Sequence, residues 1–251
     1  MTRQLFLRPD PGGAVPRTAM VMAAGLGKRM RPLTITRPKP LVEVRGKPLI
    51  DHVFDRLRAA GIERVIVNVH YLADSLEAHL RRRYSDMDVI VSDERDMLLE
   101  TGGGLVKALP LLGDQPVLVV NGDSLWIDGP VDTIKLLSAR WDAATMDMLL
   151  LMVPFARANN LAGMGDFRLA ADGRIIGRRK PGTVAPFAYT GVQIVHPRII
   201  AHAPEGAFST NIFWDRAIAA GRAYGQVHQG LWFEIGTPVA VTRTEAMLLD
   251  G

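Results

Sequence analysis

The stretch MVMAAGLGKRMRPLTITRPKPL, residues 20–41, changes character halfway along. Its apolar start, within the run 19–23, reads as a buried strand. Ala23-Ala24-Gly25 then turns the chain, and Lys28, Arg29, Arg31, Arg37 and Lys39 follow, with Arg45 a little beyond. Glycines let main-chain amides approach phosphate oxygens, and an arginine just past them can fork two of those oxygens. Pro38 and Pro40 stiffen the backbone on either side of Lys39, so its ammonium is presented at a defined place. The stretch therefore reads as the opening strand and anion-binding turn of an α/β protein.

Two common phosphate loops are excluded. A Walker loop needs Ser or Thr after Gly-Lys, but Arg29 follows Gly27-Lys28. A dinucleotide fingerprint needs a small residue where Met30 stands, because close helix–strand packing depends on it.

Outward from the turn, strands and helices alternate. Residues 48–60 place Leu49, Ile50, Val53, Phe54 and Leu57 at helical spacing and stop at Gly61. Residues 64–69 (RVIVNV) read as a strand, 73–83 as a helix, 87–91 as a strand and 104–109 as a short helix. A third buried strand over 116–120 ends at Asn121-Gly122-Asp123; a helix over 131–141 and a strand over 146–153 follow. This order predicts an α/β fold: a Rossmann-like mixed, mainly parallel sheet with helices on both faces. In such sheets ligands sit beyond the carboxyl ends of the strands, where both the glycine turn and Asn121-Gly122-Asp123 fall. After 153 the pattern becomes short strands (167–170, 174–176, 187–195, 224–229, 231–235) between Pro and Gly turns. Helices are expected near Arg198, over 211–220 and over 238–249. This is a small β-rich subregion on the same sheet. A single domain is expected over 18–251, with halves of about 18–153 and 154–251, behind a loose N-terminal leader over 1–17.

Composition narrows the function classes. A chain of 251 residues, 48% apolar and 22% charged, is long enough for one full core. A formal charge of +4 implies no nucleic-acid partner, and Arg81-Arg82-Arg83 suits a solvated helix C-terminus. The absence of cysteine excludes disulfides, thiolate metal sites and cysteine nucleophiles. The six histidines show no metal-ligand spacing. No apolar run reaches about 18 residues, and the leader, broken by Pro9 and Pro11, lacks a signal-peptide pattern. A cytoplasmic protein with no membrane and no obligate protein partner is expected.

The motif from Gly25 to Thr34, G-x-G-x-R-x-x-P-L-T, followed by Pro38-Lys39-Pro40-Leu41, resembles the signature of the sugar-1-phosphate nucleotidyltransferases. The resemblance continues through Glu100-Thr101-Gly102-Gly103-Gly104, Asn121-Gly122-Asp123, Gly165-Asp166-Phe167-Arg168-Leu169, Thr190-Gly191 and Glu234-Ile235-Gly236-Thr237-Pro238. It implies a GT-A-like nucleotidyltransferase fold whose second half binds the sugar. The implied reaction is direct displacement on the α-phosphorus of a nucleoside triphosphate by a sugar-1-phosphate oxygen. Within the family, Leu99 to Gly104, then Lys107 to Asp114, and the Gly-Asp-Phe-Arg-Leu stretch resemble the members that use UTP and N-acetylmuramate 1-phosphate, substrates of peptidoglycan recycling.

The resemblance also implies residue roles. Arg29 would stabilise the phosphates being transferred and released, and Lys39 would bridge toward the sugar phosphate. Asp123 would be a Mg²⁺ ligand, a role that the carboxyl end of a buried strand suits. The second family carboxylate is normally aspartate; here Glu234 stands in its place, one methylene longer, as metal ligand or second neighbour. Ala23, Ala24, Gly25, Leu26, Gly27, Lys28, Glu100, Thr101, Gly102, Gly103 and Asn121 would face the nucleotide. Asp166, Lys180, Thr190 and Gly191 would face the sugar phosphate. Two readings stay open beside this one: a mannose- or heptose-1-phosphate guanylyltransferase, and a nucleotide-sugar-binding module without turnover.

Overall fold

The computed structural model describes residues 11–201 and 203–249. The chain opens with β1 (Thr18–Met22), the hairpin β2 (Glu43–Val44) and β3 (Lys47–Pro48), and α1 (Leu49–Ala60). Next come β4 (Arg64–Val69), α2 (Ala73–Arg83), β5 (Asp88–Asp93), α3 (Glu100–Leu112), β6 (Val117–Asn121), β7 (Leu125–Ile127) and α4 (Thr133–Arg140). The second half holds β8 (Met148–Pro154), β9 (Ala158–Asn159), β10 (Phe167–Leu169), β11 (Ile175–Arg178) and β12 (Phe187–Val195). It ends with α5 (Asn211–Ala219), β13 (Ala223–Val227), β14 (Leu231–Phe233) and α6 (Pro238–Met247).

Nine strands make one sheet with the spine β11-β10-β12-β6-β1-β4-β5; β8 branches from β12 and carries β13. β1 is parallel to β4 and β6, β4 to β5, and β13 to β8. β12 runs antiparallel to β6, β8 and β10, and β11 antiparallel to β10. By direction, every strand except β11 and β12 points the same way, so the sheet is mixed and mainly parallel, as the alternation predicts. The β-rich subregion adds a small sheet, β7-β14-β9. β7 was not legible, because three residues behind a turn carry too little pattern.

Alternation along each strand divides the core into two layers. Ala19 and Val21 of β1, Val65 and Val67 of β4, and Leu118 and Val120 of β6 face α1, α2 and α4 through Phe54, Leu76 and Leu137. Met20, Ile66 and Val119 face α3 and α5 through Leu105, Ala108 and Phe213. α1 ends where its spacing predicts: Gly61 takes φ +85°, and the Ile62 amide donates to the Leu57 carbonyl at 3.0 Å. α6 starts on Thr237, whose hydroxyl accepts from the Ala240 amide, with Pro238 in the first turn.

Two expectations change. The leader can be followed from Pro11; residues 1–10 lie outside the described residues. Its described part is tethered: Val15 packs on the first core layer, Pro16 is buried and Arg17 pairs with Glu63. The helix expected over 104–109 is the longer α3, with the glycine run inside its first turns. Glycine disfavours helix interiors, but here packing requires it. A Cβ on Gly102 would stand 2.4 Å from the Phe208 ring, and one on Gly103 would stand 2.4 Å from the Gly206 carbonyl oxygen.

Gly103→Ala should therefore destabilise the fold by about 1–3 kcal/mol through overpacking. The expected readout is a lower urea midpoint with an unchanged denaturant slope.

Candidate functional site

The glycine turn leaves β1 at its carboxyl end. Gly27 holds φ +58°, its carbonyl accepts from the Thr34 hydroxyl at 2.8 Å, and Met30 donates its amide to the same oxygen at 2.9 Å. Met30 is fully buried beside Val42, Leu125, Phe233 and Ile235. The bulky residue that rules out a dinucleotide loop is thus an anchor, and it leaves Arg29 projecting outward with its side chain 70% exposed. Gly25 differs from its neighbours: its φ is ordinary and a Cβ there would meet no protein atom within 4 Å. No steric demand of the fold calls for glycine at 25, whereas a ligand approaching the main chain does.

Lys39 starts a short turn of 3-10 helix entered from extended Pro38 and followed by buried Pro40. Its side chain is mostly buried, and its ammonium pairs with the Asp123 carboxylate. Asp123 follows β6, whose end is stitched to the end of β1 by the Gly122 amide donating to the Met22 carbonyl at 2.8 Å. Arg29 and Glu234 stand 3.8 Å apart, and the second oxygen of Glu234 accepts from the Ala162 amide at 3.1 Å. Arg29, Lys39, Asn121, Asp123, Asp166, Thr190, Gly191 and Glu234 line a single cleft of about 510 Å³. No steric or charge feature of residues 20–41 alone would place Glu234 there; β14 brings it, docked on β7 and β9.

The far wall comes from β12. Its register with β8 jumps from Tyr189↔Met152 to Gln193↔Leu150, a bulge that pushes Thr190 and Gly191 toward the cleft. Gly191 has φ +84°, and a Cβ on it would collide with Ser124 Oγ at 2.4 Å and Asn121 Nδ2 at 2.8 Å. Thr190 builds the wall but does not offer its hydroxyl, which donates to the Leu151 carbonyl at 2.9 Å. Asp166 accepts from the Tyr189 amide at 2.8 Å through one oxygen. Burial raises the pKa of the Tyr189 phenol above its ordinary value, so this cleft residue stays neutral.

Several expected nucleotide contacts are already committed within the protein. The Ala23 amide donates to Asn68 Oδ1 at 2.6 Å. The Gly102 and Gly103 amides both donate to the Phe208 carbonyl, at 2.7 and 3.2 Å, and Thr101 Oγ1 accepts from the Thr210 amide at 2.9 Å. Thr101, Gly102 and Gly103 therefore hold the 206–210 loop rather than present free donors. Glu100 is exposed with φ +58°, and Lys180 stands outside the cleft lining. Sequence reading missed the buried bridge beneath the turn: Asn68 Nδ2 donates to Glu94 Oε1 at 2.8 Å, and Glu94 Oε2 accepts from the Leu99 amide at 3.2 Å. Its signal was an asparagine inside the apolar strand RVIVNV.

A larger cavity, about 770 Å³, opens at the amino ends of the strands near Thr18, Arg64 and Asp88. It contains none of the candidate site residues, and four of its five charged lining residues are matched in the pairs Arg17–Glu63 and Arg64–Asp88. The carboxyl-end cleft is the better candidate.

The cleft lining carries two cations, Arg29 and Lys39, against three carboxylates, Asp123, Asp166 and Glu234. Among the described residues no group of three or more His, Cys, Asp or Glu could enclose a metal ion by itself. Asp123 and Glu234 do suit a hard divalent cation that takes one or two carboxylates and completes its shell with phosphate and water.

The family model described as Nucleotidyl transferase matches residues 18–161. An N-acetylmuramate alpha-1-phosphate uridylyltransferase of Caulobacter vibrioides is 47% identical over 238 residues, covering 94% of this chain and 98% of that protein. A protein of the same name from Neisseria meningitidis serogroup B is 34% identical, covering 91% and 97%. The solved inositol-1-phosphate CTP transferase from T. maritima superposes with a TM-score of 0.77 at 18% identity, covering 95% of this chain and 97% of that one, and supports the fold.

Asn68→Ala would strand the Ala23 amide and one oxygen of the fully buried Glu94. A loss of about 3 kcal/mol is expected, since unsatisfied buried polar groups cost more than the bond itself contributes. Chemical denaturation of the variant checks this.

Proposed function

The chain belongs to the nucleotidyl transferase family, and on that footing we propose that it moves a uridylyl group from UTP to N-acetylmuramate alpha-1-phosphate. The products are UDP-N-acetylmuramate and pyrophosphate. The base and sugar are supported by the names of two relatives that match this chain almost end to end. The chemistry is supported by one observation above all: Lys39 sits on Asp123 in a cleft that also holds Arg29 and Glu234.

An oxygen of the sugar phosphate forms a bond to the α-phosphorus of UTP while the bond from that phosphorus to the bridging oxygen breaks. The electron pair leaves with pyrophosphate. The attacking oxygen is already anionic near neutrality, so no side chain need remove a proton. What the site must supply is alignment and neutralisation of charge. The open main chain at Gly25 admits the triphosphate. Arg29, at the exposed tip of the turn, holds the phosphates that depart. Lys39 exchanges Asp123 for phosphate oxygens and spans the two substrates. Asp166, fixed through one oxygen by the Tyr189 amide, keeps the other for a sugar hydroxyl. Asp123, with Glu234 in the same cleft, would hold Mg²⁺, which when bound would neutralise phosphate charge that two cations against three carboxylates cannot. Among the described residues no helix is long and apolar enough to cross a membrane.

Asp123→Asn should lower turnover at least about 100-fold, the scale of losing one electrostatic contact to a transition state, while thermal unfolding stays near that of the unaltered protein. Near-normal turnover would remove the metal assignment. Pyrophosphate release should stop on chelation and return with Mg²⁺. Lys39→Met should likewise cost about 10²–10³ in kcat. A matrix of UTP, GTP, dTTP, CTP and ATP against sugar 1-phosphates checks base and sugar together, and preference for any pair other than UTP with N-acetylmuramate 1-phosphate would overturn the assignment.

A further inference from the structure

The outer lip of the cleft carries positive charge that no carboxylate among the described residues answers. The Arg179 amide donates to the carbonyl of Asp166, a cleft residue, at 2.6 Å, and Phe167 is in register with Arg178. Phe167 packs edge-on against Trp214 of α5, and Arg178 pairs with Asp215 of the same helix. Strand alternation then puts Asp166 and Arg179 on the opposite face. Beyond Arg179 the chain turns tightly: the Thr183 amide and hydroxyl donate to the Lys180 carbonyl at 3.1 and 2.8 Å, and Gly182 takes φ +72°. Arg179 bends over this turn toward the Lys180 and Thr183 carbonyls at 3.5 and 3.4 Å. Among the described residues neither Arg179 nor Lys180 has a carboxylate partner. Beside them Met164 and Val184 are 53% and 58% exposed, and the two strips are tied by the Ala185 amide donating to the Met164 carbonyl at 2.8 Å.

We infer that Arg179 and Lys180 form a subsite for a carboxylate carried by the sugar, with Met164 and Val184 taking a small apolar group next to it. This rests on the reading above, in which the sugar is N-acetylmuramate 1-phosphate. That sugar bears a lactyl ether, a methyl group and a carboxylate on one carbon, which is the pair of chemistries the lip presents. With the sugar phosphate at Lys39 and Asp123 and the hexose along Asp166, the ether extends outward to the hairpin. The lip is open to water, so its cations pay little desolvation and serve selectivity more than raw affinity. Lys180 is exposed and does not line the cleft that holds Lys39 and Asp123, and the test below separates a role at the carboxylate from one at the sugar phosphate.

The test compares N-acetylmuramate 1-phosphate with N-acetylglucosamine 1-phosphate, which shares the phosphate and acetamido groups and lacks the lactyl ether. For Lys180→Glu and Arg179→Glu, kcat/KM with UTP and the calorimetric Kd of each sugar phosphate with Mg²⁺ are measured. The expected result is a loss of about 10- to 100-fold, the scale of one charged hydrogen bond, for the lactyl sugar alone. Lys180→Arg should keep most of the preference. Equal losses for both sugars would assign the hairpin to the phosphate or to structure, and no loss would make it idle; either overturns the subsite. A wild-type protein that forms no UDP-N-acetylmuramate would instead remove the parent reading, and the subsite with it.

Discussion

The Gly122 amide donates to the Met22 carbonyl across 2.8 Å, and a Cβ on Gly122 would stand 3.2 Å from that oxygen. Parallel pairing of β1 with β6 brings the two strand ends level, with Met22 opposite Asn121. The bond one residue further on locks the loops that leave them. Everything in the cleft is measured from this junction. On one side the chain runs through Gly25 and Arg29 to Lys39; on the other it delivers Asp123. The ion pair between Lys39 and Asp123 closes the ring. Neither side chain could be positioned by its own loop, since each is short of regular structure. They are positioned by strands and by the polar bridge of Asn68 and Glu94 underneath.

The charges make sense only as a set that exchanges partners. Without ligand, each cation rests near a carboxylate: Lys39 on Asp123, and Arg29 loosely near Glu234. A mostly buried lysine with no counter-charge would be costly, because desolvation penalises an unpaired ion. The carboxylates therefore hold the cations in place, and in the proposed reaction phosphate would take over the ammonium while a divalent ion would take the vacated oxygens. The longer Glu234 fits this scheme differently from an aspartate. One of its oxygens is held by the Ala162 amide, which fixes the extra methylene and leaves the other oxygen directed toward Arg29.

Strong local patterns were legible in the sequence, and contacts between distant segments were not. RVIVNV and the helix over 73–83 fall where their patterns put them, because the strand is a short β-branched run buried on both faces and the helix buries Ala73, Leu76 and Leu80 on one. The motif residues Arg29, Lys39, Asp123, Asp166, Gly191 and Glu234 do converge on one cleft. The glycine run over 102–104 was misread as free backbone. The steric reasons for Gly102 and Gly103 lie about a hundred residues away, in the Phe208 ring and the Gly206 carbonyl, and that for Gly104 lies in Glu94 and Asn68. Thr190 lines the cleft, and its hydroxyl donates to the Leu151 carbonyl, a partner that spacing alone does not reveal. Lys180 lay in a basic run whose neighbours could not be known from spacing.

The second half of the molecule earns its place through β12. A wholly parallel sheet opens its carboxyl ends to one crevice, enough for one ligand. β12 enters antiparallel between β6 and β8, so the cleft beside Asp123 is bounded by the middle of a strand rather than by its end. A regular strand there would present flat wall. The bulge between Tyr189 and Gln193 breaks the wall and sets Gly191 against Asn121 and Ser124, where only a residue without a side chain fits. The adjoining Tyr189 amide orients Asp166, and through Asp166 the strip that bears Arg179 is aligned with the cleft. One irregular strand thus gives a single sheet two adjacent binding walls, which is what a displacement between two phosphorylated substrates requires.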